Sequence, residues 1–264
     1  MFQFILIVNA YSKRIRNSGS TRLRNTGFHM QVLHHAPRAG GYRALLTDLD
    51  GTLIRSEEAI CFALFDSFAE VGARVPSKEG ILSMFGLPVE EMLFSLGGVA
   101  RGEEARVAAF IAAYKRWYPI RMCAGARLIA NAKETVDAVA AAGYPVCLIT
   151  SERRENAHFI LDALALSGAV RQMISRDDVM YFKPNPEPIL LAAQLVGKAV
   201  EDCVYIGESP FDIQAGVASG VFVAAVASGN WPKESLLEQE PDVFLNDISE
   251  LTVLFSGAGD PPSA

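Results

Sequence analysis

The stretch RALLTDLDGT, residues 43–52, decides the fold class. Residues 43–47 form a short apolar run that breaks into a turn at Asp48-Leu49-Asp50-Gly51, as a buried strand does at its carboxyl end. Two carboxylates two residues apart can divide catalytic work, with Asp48 as a nucleophile toward phosphorus and Asp50 as acid and base. An ordinary Asp-Gly turn is the alternative on this stretch alone.

Helical and strand patterns follow this stretch along the chain. Residues 60–119 show only helical spacing, which begins with Ile60, Ala63, Leu64 and Phe68. From residue 125 onward helices alternate with buried strands, which predicts an α/β fold with a three-layer, mainly parallel sheet and the helical stretch inserted over the strand ends. The predicted elements are helices over 128–139, 154–166, 185–197 and from 212 onward, with strands over 144–149, 170–174, 203–206, 221–226 and 243–245.

Composition limits the classes of function. The chain has 264 residues, half of them apolar, enough for one large domain or a core with a smaller insert. Its net charge of −6 argues against a general affinity for nucleic acid or an anionic membrane. No run reaches the roughly 18 apolar residues of a membrane-spanning helix. The four cysteines, Cys61, Cys123, Cys147 and Cys203, form no CxxC pair, so we expect buried free thiols in a cytoplasmic protein.

The first 43 residues differ in charge from the rest. They hold seven Lys and Arg residues and no Asp or Glu. A secretory signal would place its charges before the apolar stretch, whereas residues 2–8 precede them here. We expect a disordered basic extension over residues 1–42, or a true start at Met30, and a transit peptide is the alternative. Residues 256–264 are expected to form a flexible tail.

Three more polar groups lie at the ends of predicted strands or the starts of predicted helices. Thr150 and Ser151 end a strand, where a hydroxyl can bind a phosphoryl oxygen or cap a helix. Lys183 precedes a helix that starts with proline; it either lies on the surface or neutralises a nucleophile and a phosphoryl group. Glu208 and Asp212 follow another strand. They can complete an oxygen-rich magnesium site, or Asp212 can simply cap the next helix.

With these four groups in this order, the chain resembles a haloacid dehalogenase-like phosphatase. The resemblance covers residues 43–251 and is greatest to the phosphoglycolate phosphatase and pyrophosphatase branch, through residues 177–188 and 207–212. It implies a Mg²⁺-dependent hydrolase of small phosphorylated metabolites that works through a phosphoaspartate.

The resemblance also implies domain limits. A Rossmann-like core is expected over residues 43–59 and 122–255, and a helical cap over residues 60–121. Flexible links are expected near Ser56 and over residues 121–125, because a cap must close over the site.

Each site residue receives a role from the same resemblance. The expected catalytic residues are Asp48, Asp50, Thr150 and Lys183. The expected phosphate-binding residues are Leu49, Gly51, Thr52, Thr150, Ser151 and Lys183. The expected metal ligands are Asp48, Asp50, Glu208 and Asp212. At position 208 that branch usually has aspartate; the longer glutamate supplies the same oxygen chemistry, so we expect altered Mg²⁺ affinity and retained activity.

Other functions stay open at this point. A sugar-phosphate mutase would return the phosphoryl group to its substrate and would depend on a bisphosphate activator. A pseudophosphatase would use the fold only for binding. Aromatic residues of the helical stretch, Tyr114, Trp117 and Tyr118, are interpreted as core and not as ligand contacts. The sequence does not indicate the substrate or the oligomeric state.

Overall fold

Helices and strands alternate along the part of the chain that the computed structural model describes, residues 31–38, 40–97 and 99–255. The strands are β1 (Gln31–Val32), β2 (Ala44–Thr47), β3 (Ile54–Arg55), β4 (Arg127–Leu128), β5 (Val146–Ile149), β6 (Gln172–Ile174), β7 (Cys203–Gly207), β8 (Phe222–Val226) and β9 (Val243–Leu245). The α-helices are α1 (Glu57–Glu70), α2 (Lys78–Leu82), α3 (Val89–Ser95), α4 (Glu104–Gly125), α5 (Ala132–Ala141), α6 (Arg154–Ala163), α7 (Glu187–Leu195), α8 (Pro210–Ser219) and α9 (Lys233–Leu237).

Seven of these strands form one sheet in the order β1-β9-β8-β7-β2-β5-β6. All neighbours in it are parallel except β1 and β9. Strand β2 lies between β5 and β7, so the chain leaves it toward one edge of the sheet and later returns to its other side. Ligand sites of open α/β sheets form at such a reversal, beyond the carboxyl ends of the strands.

Alternate residues of the central strand point to opposite faces of the sheet. Leu45 joins the larger hydrophobic core, with α5 and α6, whereas Leu46 joins a second core with α7 and α8. Every residue of β2 is buried. This arrangement explains why the strand sequences are continuously apolar instead of alternating.

Four helices, α1 to α4, lie between β3 and β4, and we call residues 57–125 the helical insert. The short antiparallel ribbon of β3 and β4 pairs Ile54 with Leu128 at its base. Inside the insert, Phe68 and Phe110 are fully buried with ring centroids 4.9 Å apart in an edge-to-face contact. Such pairs add about 0.5–1.5 kcal/mol to the burial of the rings. The insert is therefore well packed, and its buried residues continue the larger hydrophobic core.

Several predicted boundaries are wrong. Leu128 belongs to β4, and α5 starts only at Ala132, because Ile129 N–H donates to Leu53 O at 3.0 Å and holds this segment against the turn after β2. The helix predicted from Asp212 starts at Pro210. Strand β1 lies inside the predicted extension and pairs with β9. Residues 1–30 of that extension, and the predicted tail, lie outside the described residues.

Two further expectations concern the cysteines and membrane-spanning helices. All four cysteines are free, but Cys123 is exposed on the outer side of α4, so the prediction of buried thiols is wrong for it. Within the described ranges, no helix has the length and apolar character that crossing a membrane requires.

Candidate active site

The predicted acidic groups meet at the carboxyl edge of the sheet. Thr47, the last residue of β2, pairs with Leu148 of β5 and with Ile206 of β7. Asp48 therefore follows directly at the point where these neighbouring strands also end. Asp48, Asp50, Glu208 and Asp212 all line one cavity there.

A buried lysine links two of these carboxylates. Lys183 Nζ donates to Asp48 Oδ1 at 2.6 Å and to Asp212 Oδ1 at 2.7 Å, and all three side chains are buried. Burial opposes the charge of Lys183, but Asp212 and Asp48 raise its pKa above the ordinary lysine value. Burial and the charge of Asp212 raise the pKa of Asp48 to about 7, against the opposing effect of Lys183. An ammonium ion is thus held against the predicted nucleophile.

Asp212 has both oxygens occupied. Oδ1 accepts from Lys183 and from Tyr205 Oη at 2.6 Å, and Oδ2 accepts from the Ser209 N–H at 3.0 Å and the Ser209 hydroxyl at 2.6 Å. The Ser209 contacts form a capping box at the start of α8. Burial disfavours ionisation of Asp212, yet Lys183 and these hydrogen bonds lower its pKa. The capping alternative is therefore observed, and the donors of Lys183, Tyr205 and Ser209 occupy both Asp212 oxygens.

Hydrogen bonds from two hydroxyl groups orient the two aspartates of the turn. Thr52 Oγ1 donates to Asp48 Oδ2 at 3.1 Å, and Ser56 Oγ donates to Asp50 Oδ1 at 2.5 Å. Burial, with the charge of Glu152, raises the pKa of Asp50 to about 7. Ser56 also precedes α1, so the segment that holds Asp50 is the segment that enters the helical insert.

Two of the residues expected to bind phosphate use their backbone amides within the turn itself. Gly51 N–H donates to Ile54 O at 2.7 Å, and Thr52 N–H donates to Leu49 O at 3.2 Å. Leu49 is fully buried in the larger core. Gly51 and Thr52, which were predicted to bind phosphate, therefore use their backbone amides to stabilise the turn.

Thr150 and Ser151 lie at the end of β5 but make different contacts. Thr150 Oγ1 accepts from the Glu152 N–H at 3.1 Å and is not hydrogen-bonded to Asp48 or Lys183 in the described structure. Ser151 Oγ donates to Gly86 O at 2.5 Å, which joins the core to the helical insert. Ser151 is not the helix cap considered above, because the residue that caps α6 is Arg153.

Glu208 is packed between two glycines. A Cβ atom on Gly51 would lie 2.6 Å from Glu208 Oε1, and one on Gly229 would lie 1.8 Å from Oε2. Gly51 also has a φ of +81°, which favours glycine. Gly51 and Gly229 have no side chains and therefore leave the space that a glutamate needs. Gly229 lies in the loop after β8.

The carboxylate of Glu208 is only partly satisfied. Its Oε2 atom is buried and has no hydrogen-bond partner among the described residues. Burial and the charges of Asp212 and Asp48 raise the pKa of Glu208 well above its ordinary value. An unpaired buried carboxylate oxygen is costly, and a cation beside it would remove that cost.

The site has a wall that the sequence interpretation did not assign to it. Glu152 lines the cavity, accepts from Tyr114 Oη at 2.9 Å and accepts from Asn156 Nδ2 at 2.8 Å. Its position directly after Thr150-Ser151 was the available signal. Tyr114 was interpreted as core; it is buried, but it also reaches the cavity. The wall from the helical insert is mostly apolar and is made by Ile60, Phe85, Gly86, Leu87, Val89, Met92 and Tyr114.

The carboxylates of this cavity suit a magnesium ion that is bound by few protein ligands. Within the described ranges, no set of three or more His, Cys, Asp or Glu side chains forms a ready metal cluster. Mg²⁺ commonly takes one or two carboxylates and completes its shell with water and substrate phosphate. Asp48 and Glu208 line the same cavity and supply such a pair.

Fold and site together define a class of protein, and comparison with known proteins identifies it. The family model described as haloacid dehalogenase-like hydrolase matches residues 45–226, and the chain belongs to this family. The predicted resemblance and the predicted fold class are both confirmed.

Individual relatives agree with this family. Pyrophosphatase PpaX of Bacillus cereus is 26% identical over 212 residues, which cover 80% of this chain and 95% of that protein. Phosphoglycolate phosphatase of Escherichia coli is 26% identical over 228 residues, covering 79% of this chain and 90% of that protein. The crystal structure of a haloacid dehalogenase-like hydrolase from Bacteroides fragilis has a TM-score of 0.72 at 24% identity, with 80% and 99% of the two chains covered, and shows the shared fold.

Proposed function

We propose that this chain is a Mg²⁺-dependent phosphatase of small phosphorylated metabolites that forms a phosphoaspartate on Asp48. One observation carries the proposal: the Lys183 ammonium is bound at once to Asp48 and Asp212, at the edge where Asp50 and Glu208 also converge. A carboxylate nucleophile needs a nearby cation to approach an anionic phosphoryl group. The names of the relatives support a phosphate-releasing reaction.

The reaction has two steps. In the first, Asp48 Oδ attacks phosphorus in line, the bond from phosphorus to the leaving oxygen breaks, and Asp50 gives that oxygen its proton. In the second, Asp50 takes a proton from water, which attacks phosphorus and releases phosphate and free Asp48. Lys183 stabilises the charge on the transferred group in both steps, and Thr150 is proposed to donate to one of its oxygens.

Neighbouring side chains hold these groups in place. Thr52 fixes the rotation of the Asp48 carboxylate, and Ser56 does the same for Asp50. Asp212 holds Lys183, so we assign it a positioning role within the metal site instead of direct contact with the ion.

Magnesium would be held by the carboxylates of Asp48 and Glu208 and by the backbone carbonyl of Asp50. When bound, it supplies positive charge that offsets the repulsion between the carboxylates and the phosphate. The protein contributes the positions of these oxygens and a site largely closed to bulk water.

The helical insert is proposed to act as a cap. Ser151 and Glu152 of the core bond to Gly86 and Tyr114 of the insert, and the cavity between them is only about 30 Å³. That volume holds one or two water molecules, so a substrate enters only after the insert moves. We place the cap at residues 60–121, between links near Ser56 and over 121–125.

The first test is phosphate release with Mg²⁺ or with EDTA, from wild type, Asp48→Asn and the surface control Asp137→Asn. The panel contains phosphoglycolate and pyrophosphate, because relatives bear those names, with sugar phosphates, nucleotides and p-nitrophenyl phosphate. We expect Mg²⁺-dependent release that Asp48→Asn abolishes and Asp137→Asn retains. Release that survives in a folded Asp48→Asn protein would refute the mechanism.

Glu208 favours a second candidate function, that of a sugar-phosphate mutase. A mutase branch of the family that this chain resembles uses glutamate in its metal site. A mutase would convert a sugar monophosphate only when a sugar bisphosphate primes it, and would release little phosphate. Failure to bind or convert any phosphate ester would instead favour a pseudophosphatase. A cytoplasmic location remains a proposal that rests on the free cysteines.

A further inference from the structure

The part of the cavity that faces a leaving group carries two acids. Asp50, the proposed acid, is only part-buried, and Glu152 is near enough to raise its pKa. Glu152 is not a member of the motif groups that carry the proposed chemistry. Its two oxygens accept from Tyr114 and Asn156, which fix the carboxylate at the cavity wall. A carboxylate has about four acceptor positions, so it can still accept from a ligand.

The opposite wall offers the leaving group no charge. It is formed by side chains of the helical insert, among them Ile60, Phe85, Leu87, Val89 and Met92. Phe85 and Met92 are buried in the larger core and are held there by packing. This wall suits the carbon skeleton of a small alcohol.

Cations near the cavity are already bound elsewhere. None of the described residues that line it is Lys, Arg or His. Lys183 binds Asp48 and Asp212 on the phosphoryl side. Arg153, next to Glu152, forms ion pairs with Glu90 and with Asp177, the latter at 3.0 Å. An anionic leaving group would therefore meet the Glu152 carboxylate, and no cationic side chain among the described lining residues would compensate for it.

We propose that the substrate is a phosphomonoester whose leaving alcohol carries no negative charge and presents a hydroxyl or ammonium group to Glu152. This inference rests on the proposed function, since it assumes that Asp50 protonates the leaving oxygen. It sets this chain apart from relatives named for phosphoglycolate and pyrophosphate, whose leaving groups are anionic. Like charges placed together at close range oppose binding strongly, which makes Glu152 a specificity-determining residue.

Three esters of similar size test the proposal: 2-hydroxyethyl phosphate, phosphoethanolamine and phosphoglycolate. We expect phosphoglycolate to have the lowest kcat/KM of the three, by about tenfold or more. Glu152→Gln keeps the size of the side chain and removes its charge. It should raise the kcat/KM of phosphoglycolate relative to 2-hydroxyethyl phosphate about tenfold. Glu155→Gln, at an exposed position in the following helix α6, should leave that ratio unchanged.

Binding separates this inference from the proposed function. Asp48→Asn, which should not turn over, is titrated with the same esters by calorimetry, alone and combined with Glu152→Gln. If no ester is hydrolysed but 2-hydroxyethyl phosphate binds more tightly than phosphoglycolate, the proposed function fails and the charge preference stands. If phosphoglycolate binds or reacts as well as the neutral ester, if Glu152→Gln does not change the ratio, or if neither ester binds, the inference is wrong.

Discussion

Replacing Gly229 by alanine is predicted to damage metal binding while leaving the fold intact. The new Cβ would lie 1.8 Å from Glu208 Oε2 and 2.2 Å from Cδ, although real contacts of this kind almost never fall below 3.0 Å. The carboxylate must therefore move by more than about 1 Å, because packed atoms of this kind prefer separations of roughly 3.5 Å. The atoms that the new Cβ meets belong to the Glu208 side chain and not to backbone, so the strain falls on the proposed metal site instead of on the sheet.

The expected size follows from known effects of disturbing residues that orient metal ligands. Such changes cost about 10–100-fold in metal affinity, which corresponds to about 1.4–2.8 kcal/mol. Isothermal titration of Mg²⁺ into metal-free protein measures it directly. Gly168→Ala is the matched control, because a Cβ there meets nothing within 4 Å.

A second substitution makes the explanation specific. Glu208→Asp shortens the acid by one methylene and relieves the two closest contacts of the new Cβ, those with Oε2 and Cδ, while the contact with Cγ at 2.8 Å remains. The double variant Gly229→Ala, Glu208→Asp should bind Mg²⁺ better than Gly229→Ala alone, with a coupling energy of about 1 kcal/mol or more in a double-mutant cycle. Wild-type affinity in Gly229→Ala, or purely additive losses in the double variant, would refute the proposed accommodation of Glu208.

Three further predictions concern pH and stability. Folding raises the pKa of Asp48 and Asp50 to about 7, so these two groups bind more protons in the folded than in the unfolded state between roughly pH 4 and 7. Their contribution to the stability of the metal-free protein is therefore lost as the pH rises through that window. Thermal melts should show a larger stabilisation by Mg²⁺ at pH 8 than at pH 5; an equal shift at both would contradict this. Ser209→Ala removes the cap of α8 and should lower the free energy of unfolding by about 1 kcal/mol in urea titrations, and no loss would argue against the capping box. Tyr118→Phe removes a buried hydroxyl that has no partner among the described residues, so it should leave the free energy of unfolding unchanged or raise it. Tyr114→Phe breaks a hydrogen bond to Glu152 and should lower the free energy of unfolding. If Tyr118→Phe proved less stable than Tyr114→Phe, this reasoning would be wrong.

The strand-end motifs were predictable because parallel strands end at a common edge. Asp48, Thr150 and Glu208 each follow a continuous apolar run, and that pattern fixes both the strand and its end. Once the strands are parallel and adjacent, their next residues must converge. The order of groups along the chain then predicted the family.

The missed features depend on contacts between distant segments. The β3–β4 ribbon has two residues per strand, too few to show a period, so Leu128 was assigned to the following helix. Gly229 matters only because Glu208 reaches it across a loop. The role of Asp212 depends on four donors, of which Lys183 lies 29 residues away in the sequence. No local pattern encodes such contacts.

The small cavity has a consequence for the order of events in each turnover. The cavity of about 30 Å³ has room for one or two water molecules. In the proposed mechanism, the helical insert opens for substrate entry and phosphate departure, and the bonds from Ser151 to Gly86 and from Tyr114 to Glu152 then break and form again. The opening rate of the insert is therefore an upper limit on the turnover number. A substitution far from the reacting atoms, at either of these bonds, can change speed without changing chemistry.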